Sequence, residues 1–322
     1  MEKNSRIYVA GHRGLVGSAI MRSLTQRGYE NLIVRTHAEL DLSDRPAVRA
    51  FFQKEGPEYV VLAAAKVGGI LANDTYPADF IRENLEIQTN VIDASYRNAA
   101  KRLLFLGSSC IYPKLAPQPI KEEYFLTGSL EPTNRAYALA KIAGIEMCWS
   151  YNRQFGTKYL AAMPTNLYGP GDNFDLAGSH VLPALMRKVI EAKLSGRKRL
   201  DVWGTGAPRR EFLYSDDLAD ACLHLLELPE ETYLSLLSSS KPPLINIGTG
   251  EDITIRDLAN LVARILQCDC ELVFDASKQD GTPQKLLDVS RIHALGWKAK
   301  VRLEEGIRRT YESVRSQLER VG

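Results

Sequence analysis

The sequence predicts an α/β fold: a doubly wound parallel sheet with helices on both faces, followed by a smaller α/β domain. Over the first 170 residues, short apolar runs alternate with amphipathic stretches, which is the pattern of successive β–α units. The apolar runs are almost continuous in hydrophobic residues, as expected for strands buried on both faces. This alternation weakens after Pro170, where we expect the second, more irregular domain to begin.

Strands and helices of the first domain follow from this alternation. The predicted strands are Ile7–Ala10, Leu32–Val34, Tyr59–Ala65, Leu103–Leu106 and Tyr159–Met163. The predicted helices are Leu15–Arg27, Arg45–Lys54, Asp79–Asn98 and Ala136–Phe155. Gly28, Gly56 and Gly156 follow three of these helices, and glycine is favoured just past a helix C-terminus because it adopts the left-handed conformation.

Fewer elements are predicted in the rest of the chain. They are helices at Val181–Leu194, Asp216–Leu228, Ile255–Leu266 and Val301–Arg315, and strands at Leu200–Trp203 and Leu244–Ile247. We therefore assign residues 1–170 and about 244–266 to the first domain. Residues 171–243 and 267–322 form the second.

Charge and cysteine content disfavour several classes of protein. Lys and Arg total 41 and Asp and Glu total 39, so the net charge of +2 disfavours bulk electrostatic binding to nucleic acid or a membrane. Five cysteines, with no C-x-x-C motif, indicate reduced thiols, and Cys268 and Cys270 have no nearby zinc-type partners. The first strand begins too early to leave room for a signal peptide. We expect a cytoplasmic protein without a metal site.

A glycine-rich turn after the first strand points to a dinucleotide. Gly11, Gly14 and Gly17 follow Ile7–Ala10 and open a helix, the arrangement of Rossmann-type domains. The glycines allow a tight turn and close backbone approach to a pyrophosphate, which the helix N-terminus attracts. A simple glycine-rich β–α turn without a ligand is the alternative.

The end of the second predicted strand favours NADP over NAD. No acidic residue stands there to bind a ribose 2′-hydroxyl; Arg35 follows the strand directly, and His37 comes two residues later. Arg13 and Arg35 could both reach the 2′-phosphate of NADP. They could instead be solvated surface arginines.

Tyr137 and Lys141 lie one helical turn apart and form a candidate acid–base pair. Thr133 or Asn134 is the expected N-cap of their helix. A tyrosine normally titrates near pH 10, and a nearby cation favours the phenolate and lowers that pKa. Ser108 follows the strand Leu103–Leu106, at the sheet edge where sites of this fold form. Such a pair can protonate the alkoxide produced when hydride reaches a ketone.

Motifs along nearly the whole chain resemble the extended, nucleotide-sugar-modifying branch of the short-chain dehydrogenase/reductase family. They are Gly11/Gly14/Gly17, Asp41-Leu42, Ala63–Ala65, Ser108-Ser109, Tyr137/Lys141, Asn166–Pro170, Arg210–Phe212, Asp216-Asp217 and Asn246–Gly248. The resemblance implies a Ser108–Tyr137–Lys141 triad and NADP(H) as the cofactor. It also implies a homodimer formed through the helices Asp79–Asn98 and Ala136–Phe155.

Cys110 and His180 extend the site beyond reduction. A thiol two residues from Ser108 and an imidazole after Gly178 could remove and return protons beside a ketone. Taken alone, Cys110 is as readily a small buried hydrophobe and His180 a cap or surface group. Longer strings, such as Gly107–Lys114 and Met163–Pro170, resemble the 3,5-epimerase/4-reductase members of this branch. That resemblance implies Cys110 as base, His180 as acid and Tyr137 as proton donor to O4 of a GDP-linked 4-keto-6-deoxy sugar.

The same resemblance implies the binding residues. For the cofactor they are Gly11, His12, Arg13, Gly14, Leu15, Val16, Gly17, Arg35, His37, Asp41, Leu42, Leu106, Gly107, Ser108, Ser109, Lys141, Pro164, Thr165, Asn166, Leu167 and His180. For the substrate they are Lys188, Trp203, Arg210 and Asp280. Arg210 suits a diphosphate, although it could be an ion-pair partner and Trp203 a core residue. Lys188 and His37 stand where the family often has arginine.

Two other functions remain open from the sequence. The first is a different nucleotide-sugar epimerase or reductase of the same branch, which would have no need of Cys110 and His180. The second is a non-catalytic NADP-binding sensor. Sensors of this fold typically lack the tyrosine or the lysine, and this chain has both Tyr137 and Lys141.

Overall fold

The computed structural model of the protein describes residues 1–176, 178–278 and 280–318. Its strands are β1 (Ile7–Ala10), β2 (Leu32–Ile33), β3 (Tyr59–Leu62), β4 (Arg102–Leu106), β5 (Tyr159–Pro164), β6 (Asn166–Tyr168), β7 (Arg199–Trp203), β8 (Arg209–Tyr214), β9 (Leu244–Ile247), β10 (Asp252–Thr254), β11 (Glu271–Asp275) and β12 (Gln284–Lys285). Its helices are α1 (Leu15–Gln26), α2 (Arg45–Glu55), α3 (Ile70–Thr75), α4 (Pro77–Arg97), α5 (Arg135–Phe155), α6 (Val181–Leu194), α7 (Ser215–Glu227), α8 (Glu230–Ser235), α9 (Ile255–Ile265), α10 (Ser290–Ala294) and α11 (Leu303–Leu318).

The larger sheet is parallel and has the strand order β2-β1-β3-β4-β5-β9. Every residue of β1, β4, β5 and β9 is buried, as the nearly continuous apolar runs predict. The chain passes from β1 to β2 on one side and returns to β3 on the other. A crevice therefore opens beyond the carboxyl end of β1, where ligands bind in open α/β sheets. The fold prediction is confirmed.

Helices on the two faces of this sheet position the site. On one face α1 packs against α7, with Arg27 paired to Asp220 and Glu227. On the other face α4 packs against α5. A Cβ at Gly144 in α5 would lie 2.4 Å from the Phe105 ring, so glycine lets α5 approach β4 closely. That approach brings the first turns of α5 beside the end of β4.

The smaller domain is built around β8, which pairs antiparallel with β10 and parallel with β6 and β12. β7 and β11 form a separate parallel pair. β8 was not predicted because its first half is polar. Its Glu211 is nonetheless fully buried, because backbone amides of Thr249, Gly250 and Leu287 donate to the carboxylate at 2.6–2.9 Å.

Side-chain packing assigns two helices differently from our predicted domain boundaries. α7 buries Leu218 and Cys222 in the core of the larger domain, whereas we placed it in the smaller one. α9 buries Leu258 and Val262 with α6 and α11 in the smaller domain's core, the reverse of our expectation. Periodicity shows which face of a helix is apolar, but it does not show which sheet or helix covers that face.

The cysteines are all free thiols. Cys148 and Cys222 are buried in the larger core, and the sulfur atoms of Cys268 and Cys270 lie 2.8 Å apart. Within the described ranges, His, Cys, Asp and Glu side chains form no group that could hold a metal ion. No helix in the described part of the chain is long and apolar enough to cross a bilayer.

Candidate active site

The loop between β1 and α1 forms the tight glycine turn that pyrophosphate-binding sites of this fold require. Gly11 has φ of +84°, and a Cβ there would lie 2.8 Å from the Cα of Ala64. A Cβ on Gly17 would lie 2.1 Å from the Gly11 carbonyl oxygen, so packing itself requires both glycines. At Gly14, the N-cap of α1, the same contact would be an ordinary 3.5 Å. Packing does not demand glycine at that position, but a phosphate approaching the helix N-terminus does.

Two arginines near this loop differ in how they are held. Arg13 is exposed on the loop itself. Arg35, in contrast, pairs with Glu55 at 2.6 Å and donates to the Val34 carbonyl oxygen at 2.7 Å. Arg35 is therefore not the solvated side chain of our alternative hypothesis. His37 is exposed, and its Nδ1 lies 3.9 Å from an Asp41 oxygen.

The remaining predicted cofactor residues lie mostly at the same edge of the sheet. Leu106 ends β4 and Gly107–Ser109 follow it, while Pro164 ends β5 and Thr165 begins the link to β6. Thr165 and Asn166 donate side-chain hydrogen bonds to the backbone oxygen of Glu211 in β8. These bonds join the cofactor side of the cleft to the smaller domain.

Ser108 and Tyr137 meet between β4 and α5. Ser108 is the N-cap of a short 3-10 turn, Ser109–Ile111, and its hydroxyl accepts a hydrogen bond from the Cys110 amide at 3.3 Å. Burial raises the pKa of Tyr137 well above the usual 10, the charge of Cys110 raises it further, and a hydrogen bond from Ser108 lowers it in part. Lys141 does not contribute to the pKa of Tyr137, although we expected it to lower that pKa.

The reason lies in Lys141 itself, which is only 3% exposed. Its ammonium donates to the Leu106 carbonyl oxygen at 2.7 Å and lies 5.8 Å from the centre of the Tyr137 ring. Burial lowers the pKa of Lys141 from 10.5 to about 7. A lysine that is largely neutral near pH 7 cannot strongly favour the phenolate of Tyr137. Burial therefore has a larger effect on the pKa of Tyr137 than the charge of Lys141 does.

Cys110 is held by donors on two elements. Asn134 Nδ2 donates to its sulfur at 3.3 Å, and Lys285 Nζ, from β12, lies 3.7 Å from it. Asn134 does occupy the N-cap position of α5, as predicted, but its side chain makes no capping bond because it turns to Cys110. The thiol is partly exposed, unlike a small buried hydrophobe.

His180 lies on the opposite side of the cleft, at the N-cap of α6. Its loop is joined to the larger domain where the Gly69 amide donates to the Gly178 carbonyl oxygen at 3.0 Å. The ring is exposed to solvent, yet surrounding protein atoms and the charge of Lys285 lower the pKa of the imidazole below 6.5. Lys285 therefore contacts Cys110 and also acts electrostatically on His180.

Of the four predicted substrate residues, Lys188 lies near Trp203, and Arg210 interacts with Asp280. Trp203 is 66% exposed, so it is not a core residue, and the ammonium groups of Lys188 and Lys278 lie 5.2 and 5.6 Å from its ring centre. Arg210 is half-buried within electrostatic range of Cys110 and Asp280. Asp280 accepts hydrogen bonds from the Thr205 amide and hydroxyl, at 3.0 and 2.6 Å.

The sequence analysis missed three contacts. They are those of Asn134 and Lys285 with the Cys110 sulfur, and that of Lys278 with the Trp203 ring. Lys285 is 175 residues from Cys110 in the chain, so no local spacing connects them. Asn134 was noticed only as a capping residue. Its contact with sulfur follows from the 3-10 turn that places Cys110 against the start of α5.

Comparisons with known proteins agree with this geometry. A sequence profile of the NAD dependent epimerase/dehydratase family matches residues 7–248. GDP-L-fucose synthase 1 of Arabidopsis thaliana is 56% identical over 97% of this chain and 93% of its own length. GDP-L-fucose synthase of Escherichia coli (strain K12) is 55% identical over 95% of each chain. A GDP-mannoheptose C4 reductase from Campylobacter jejuni with NADP bound superposes with a TM-score of 0.89, at 43% identity, over 98% of this chain and 99% of that one.

These matches extend over nearly the whole chain, so they do not depend on a single motif. They confirm the resemblance that the sequence motifs indicated, and with it the expectation of an enzyme. The chain therefore belongs to the NAD dependent epimerase/dehydratase family.

Proposed function

We propose that the chain makes GDP-L-fucose from GDP-4-keto-6-deoxy-D-mannose, by epimerisation at C3 and C5 followed by NADPH-dependent reduction of the C4 ketone. The observation that carries this proposal is the position of Cys110. Its sulfur lies among hydrogen-bond donors beside Ser108 and Tyr137, and Lys285 connects it to His180. Relatives named GDP-L-fucose synthase, at 55% and 56% identity, support the same substrate.

NADP(H) is the cofactor that the larger domain accommodates. The Gly11–Gly17 loop would hold the pyrophosphate at the N-terminus of α1, and Arg13 would meet the 2′-phosphate. The related C4 reductase with NADP bound supports this assignment. When bound, NADPH supplies the hydride for C4, and every proton in the reaction is moved by side chains of the chain.

Epimerisation depends on Cys110 and His180. The C4 carbonyl of the substrate acidifies the C–H bonds at C3 and C5, and the electron pair released at either carbon passes to the carbonyl oxygen. The Cys110 thiolate takes the proton, and His180 returns one to the opposite face. The lowered pKa of His180 makes its protonated form a stronger acid for that return.

Reduction depends on the triad. Tyr137 donates a proton to O4 as the ketone becomes an alcohol, and Ser108 lowers the pKa of that phenol in part. Lys141, fixed to the Leu106 carbonyl oxygen, lies close enough to supply positive charge when it is protonated. Arg210 and Lys188 bind the diphosphate from the side of the smaller domain.

A reductase without epimerase activity is the main alternative, because a relative at 43% identity is named a GDP-mannoheptose C4 reductase. Reduction at C4 alone needs no base at the sugar ring, and the donors around Cys110 would then have no catalytic purpose. A non-catalytic sensor is disfavoured by the intact Ser108, Tyr137 and Lys141. We keep the predicted homodimer as part of the proposal, since α5 leaves Leu139 and Phe155 exposed at 38% and 42%.

Product analysis tests the proposal directly. The protein is incubated with GDP-4-keto-6-deoxy-D-mannose and NADPH in deuterium oxide, and the sugar is examined by NMR. We expect one NADPH oxidised per GDP-L-fucose formed, with deuterium at C3 and C5. A product reduced at C4 but not inverted at C3 and C5 would identify a reductase alone. Oxidation of NADPH only with a different keto-sugar nucleotide would reject the substrate.

A further inference from the structure

The Asn134 amide is oriented by one sulfur atom. Its Nδ2 donates to Cys110 Sγ at 3.3 Å, while its Oδ1 is buried and has no hydrogen-bond partner within the described part of the chain. An asparagine with a structural role would normally satisfy both ends of its amide when buried. Here the carbonyl end is left unsatisfied while the NH₂ end meets the thiol.

An NH₂ group can only donate, so its contact discriminates between the two forms of the cysteine. A thiolate accepts such a hydrogen bond strongly, whereas a neutral thiol is a weak acceptor. The contact therefore lowers the free energy of deprotonated Cys110 relative to the thiol. It also fixes the direction of the sulfur, because Asn134 begins α5 and the helix itself is held against β4.

We propose that Asn134 is a positioning residue that aims the Cys110 sulfur at the sugar ring and favours its thiolate over the thiol. The inference rests on the proposed epimerisation, in which Cys110 removes the proton from C3 or C5. In that step a sulfur–hydrogen bond forms, a carbon–hydrogen bond breaks, and the electron pair passes to the C4 carbonyl oxygen. Asn134 does not touch the substrate in this scheme; it orients the sulfur and favours the form of Cys110 that accepts the proton.

Other charged groups face Cys110 from the elements packed around it. Lys285 of β12 and Arg210 of β8 are cationic and favour the thiolate as well. Tyr137 of α5 interacts with Cys110 electrostatically. Glu131, before α5, lines the same small cavity as Cys110, and Lys114 pairs with it at 3.0 Å. Of the two hydrogen bonds to the sulfur, the one from Asn134 is shorter than the one from Lys285. Because Asn134 is uncharged, its stabilisation of the thiolate persists at high salt.

The test replaces the donor without changing its shape. Asn134→Asp exchanges the NH₂ group for a carboxylate oxygen that repels the thiolate. The alkylation rate of Cys110 by iodoacetamide is followed against pH by peptide mass spectrometry, in the absence of substrate. We expect its midpoint to move at least one pH unit upward, which lowers the rate at pH 7 about tenfold. Asn31→Asp makes the same change at an exposed position and should leave the midpoint unchanged.

A second measurement connects the thiol to turnover. Deuterium exchange at C3 and C5 should fall about tenfold in Asn134→Asp at pH 7 and recover toward the wild-type rate near pH 9, with KM little changed. Asn134→Ser, which keeps a hydroxyl donor, should fall between wild type and Asn134→Asp, and it carries the test if the aspartate variant fails to fold. An unshifted alkylation midpoint in a folded variant overturns the inference. Absence of exchange in the wild-type protein overturns the proposed epimerisation instead, while the alkylation profile still decides the effect of Asn134.

Discussion

The two halves of the site are built in different ways. Tyr137 and Lys141 belong to α5 of the larger domain and Ser108 follows β4, and burial dominates the protonation states of Tyr137 and Lys141. Cys110 and His180 lie on loop segments at the cleft, where Asn134 and Lys285 determine their surroundings. In the first half, burial acts on Tyr137 and Lys141. In the second, donors and charge act on Cys110, while burial and then the charge of Lys285 lower the pKa of His180. The reductive half is therefore expected to tolerate changes in its neighbours better than the epimerising half.

The largest expected effect separates the two halves by mutation. Tyr137→Phe removes the proton donor to O4 and should lower the rate of reduction about 10²–10⁴-fold. It should leave deuterium exchange at C3 and C5 nearly intact, because that exchange uses Cys110 and His180. The rate of NADPH oxidation and the NMR exchange rate are measured on the same preparation. Tyr151→Phe changes a tyrosine of the same helix whose hydroxyl donates to Asp93, away from the cleft, and serves as the control.

Cys110→Ser should give the reverse pattern. We expect it to stop exchange at C3 and C5, because a serine hydroxyl is a far weaker acid than a thiol, and to leave some direct reduction at C4. Exchange at the wild-type rate in this variant would show that another group is the base. Loss of both activities in both variants would mean that the two halves work as one unit.

A smaller effect, on stability, tests the role of burial in the reductive half. Because the pKa of Lys141 is about 7 in the folded protein and near 10.5 when unfolded, the unfolded state binds more protons between these values. The contribution of Lys141 to the free energy of unfolding therefore rises with pH across that window. Burying Lys141 destabilises the fold most below pH 7. From pH 7 to 9, wild type should gain about 2 kcal/mol in free energy of unfolding relative to Lys141→Met.

Urea denaturation of the two proteins at pH 7, 8 and 9 measures this difference. Lys54→Met replaces an exposed lysine of α2 and should show no such trend. A constant difference between wild type and Lys141→Met would mean that Lys141 remains charged in the fold. In that case the cation would be available to lower the pKa of Tyr137, as the sequence alone suggested.

The contrast between the two halves also explains what could be predicted from sequence. The sequence has strong local patterns over β1, β4 and α5. The fold and the proximity of Ser108, Tyr137 and Lys141 could therefore be predicted. The protonation states were not, because burial is a property of the assembled core. Lys285 and the turn of Asn134 toward sulfur depend on contacts between distant segments, and no spacing in the chain encodes them.

The smallest effect concerns the cofactor end of the larger domain, where an anchored arginine and an open one can be compared. Arg35 is committed to Glu55 and to the Val34 carbonyl oxygen, whereas Arg13 is exposed on the glycine loop. Arg13→Ala should therefore lower the preference for NADPH over NADH about tenfold, the loss of one charge-assisted contact. Arg35→Ala should lower it only about twofold to threefold, since its charge is already partnered.

The ratio of kcat/KM for NADPH and NADH measures both effects, and Glu55→Gln sharpens the comparison. Removing that carboxylate frees Arg35, so the preference for NADPH should rise if the pairing with Glu55 is what limits it. Equal losses in Arg13→Ala and Arg35→Ala would show that the Glu55 pair opens when the cofactor binds. The difference between the anchored and the open arginine would then hold only before the cofactor binds.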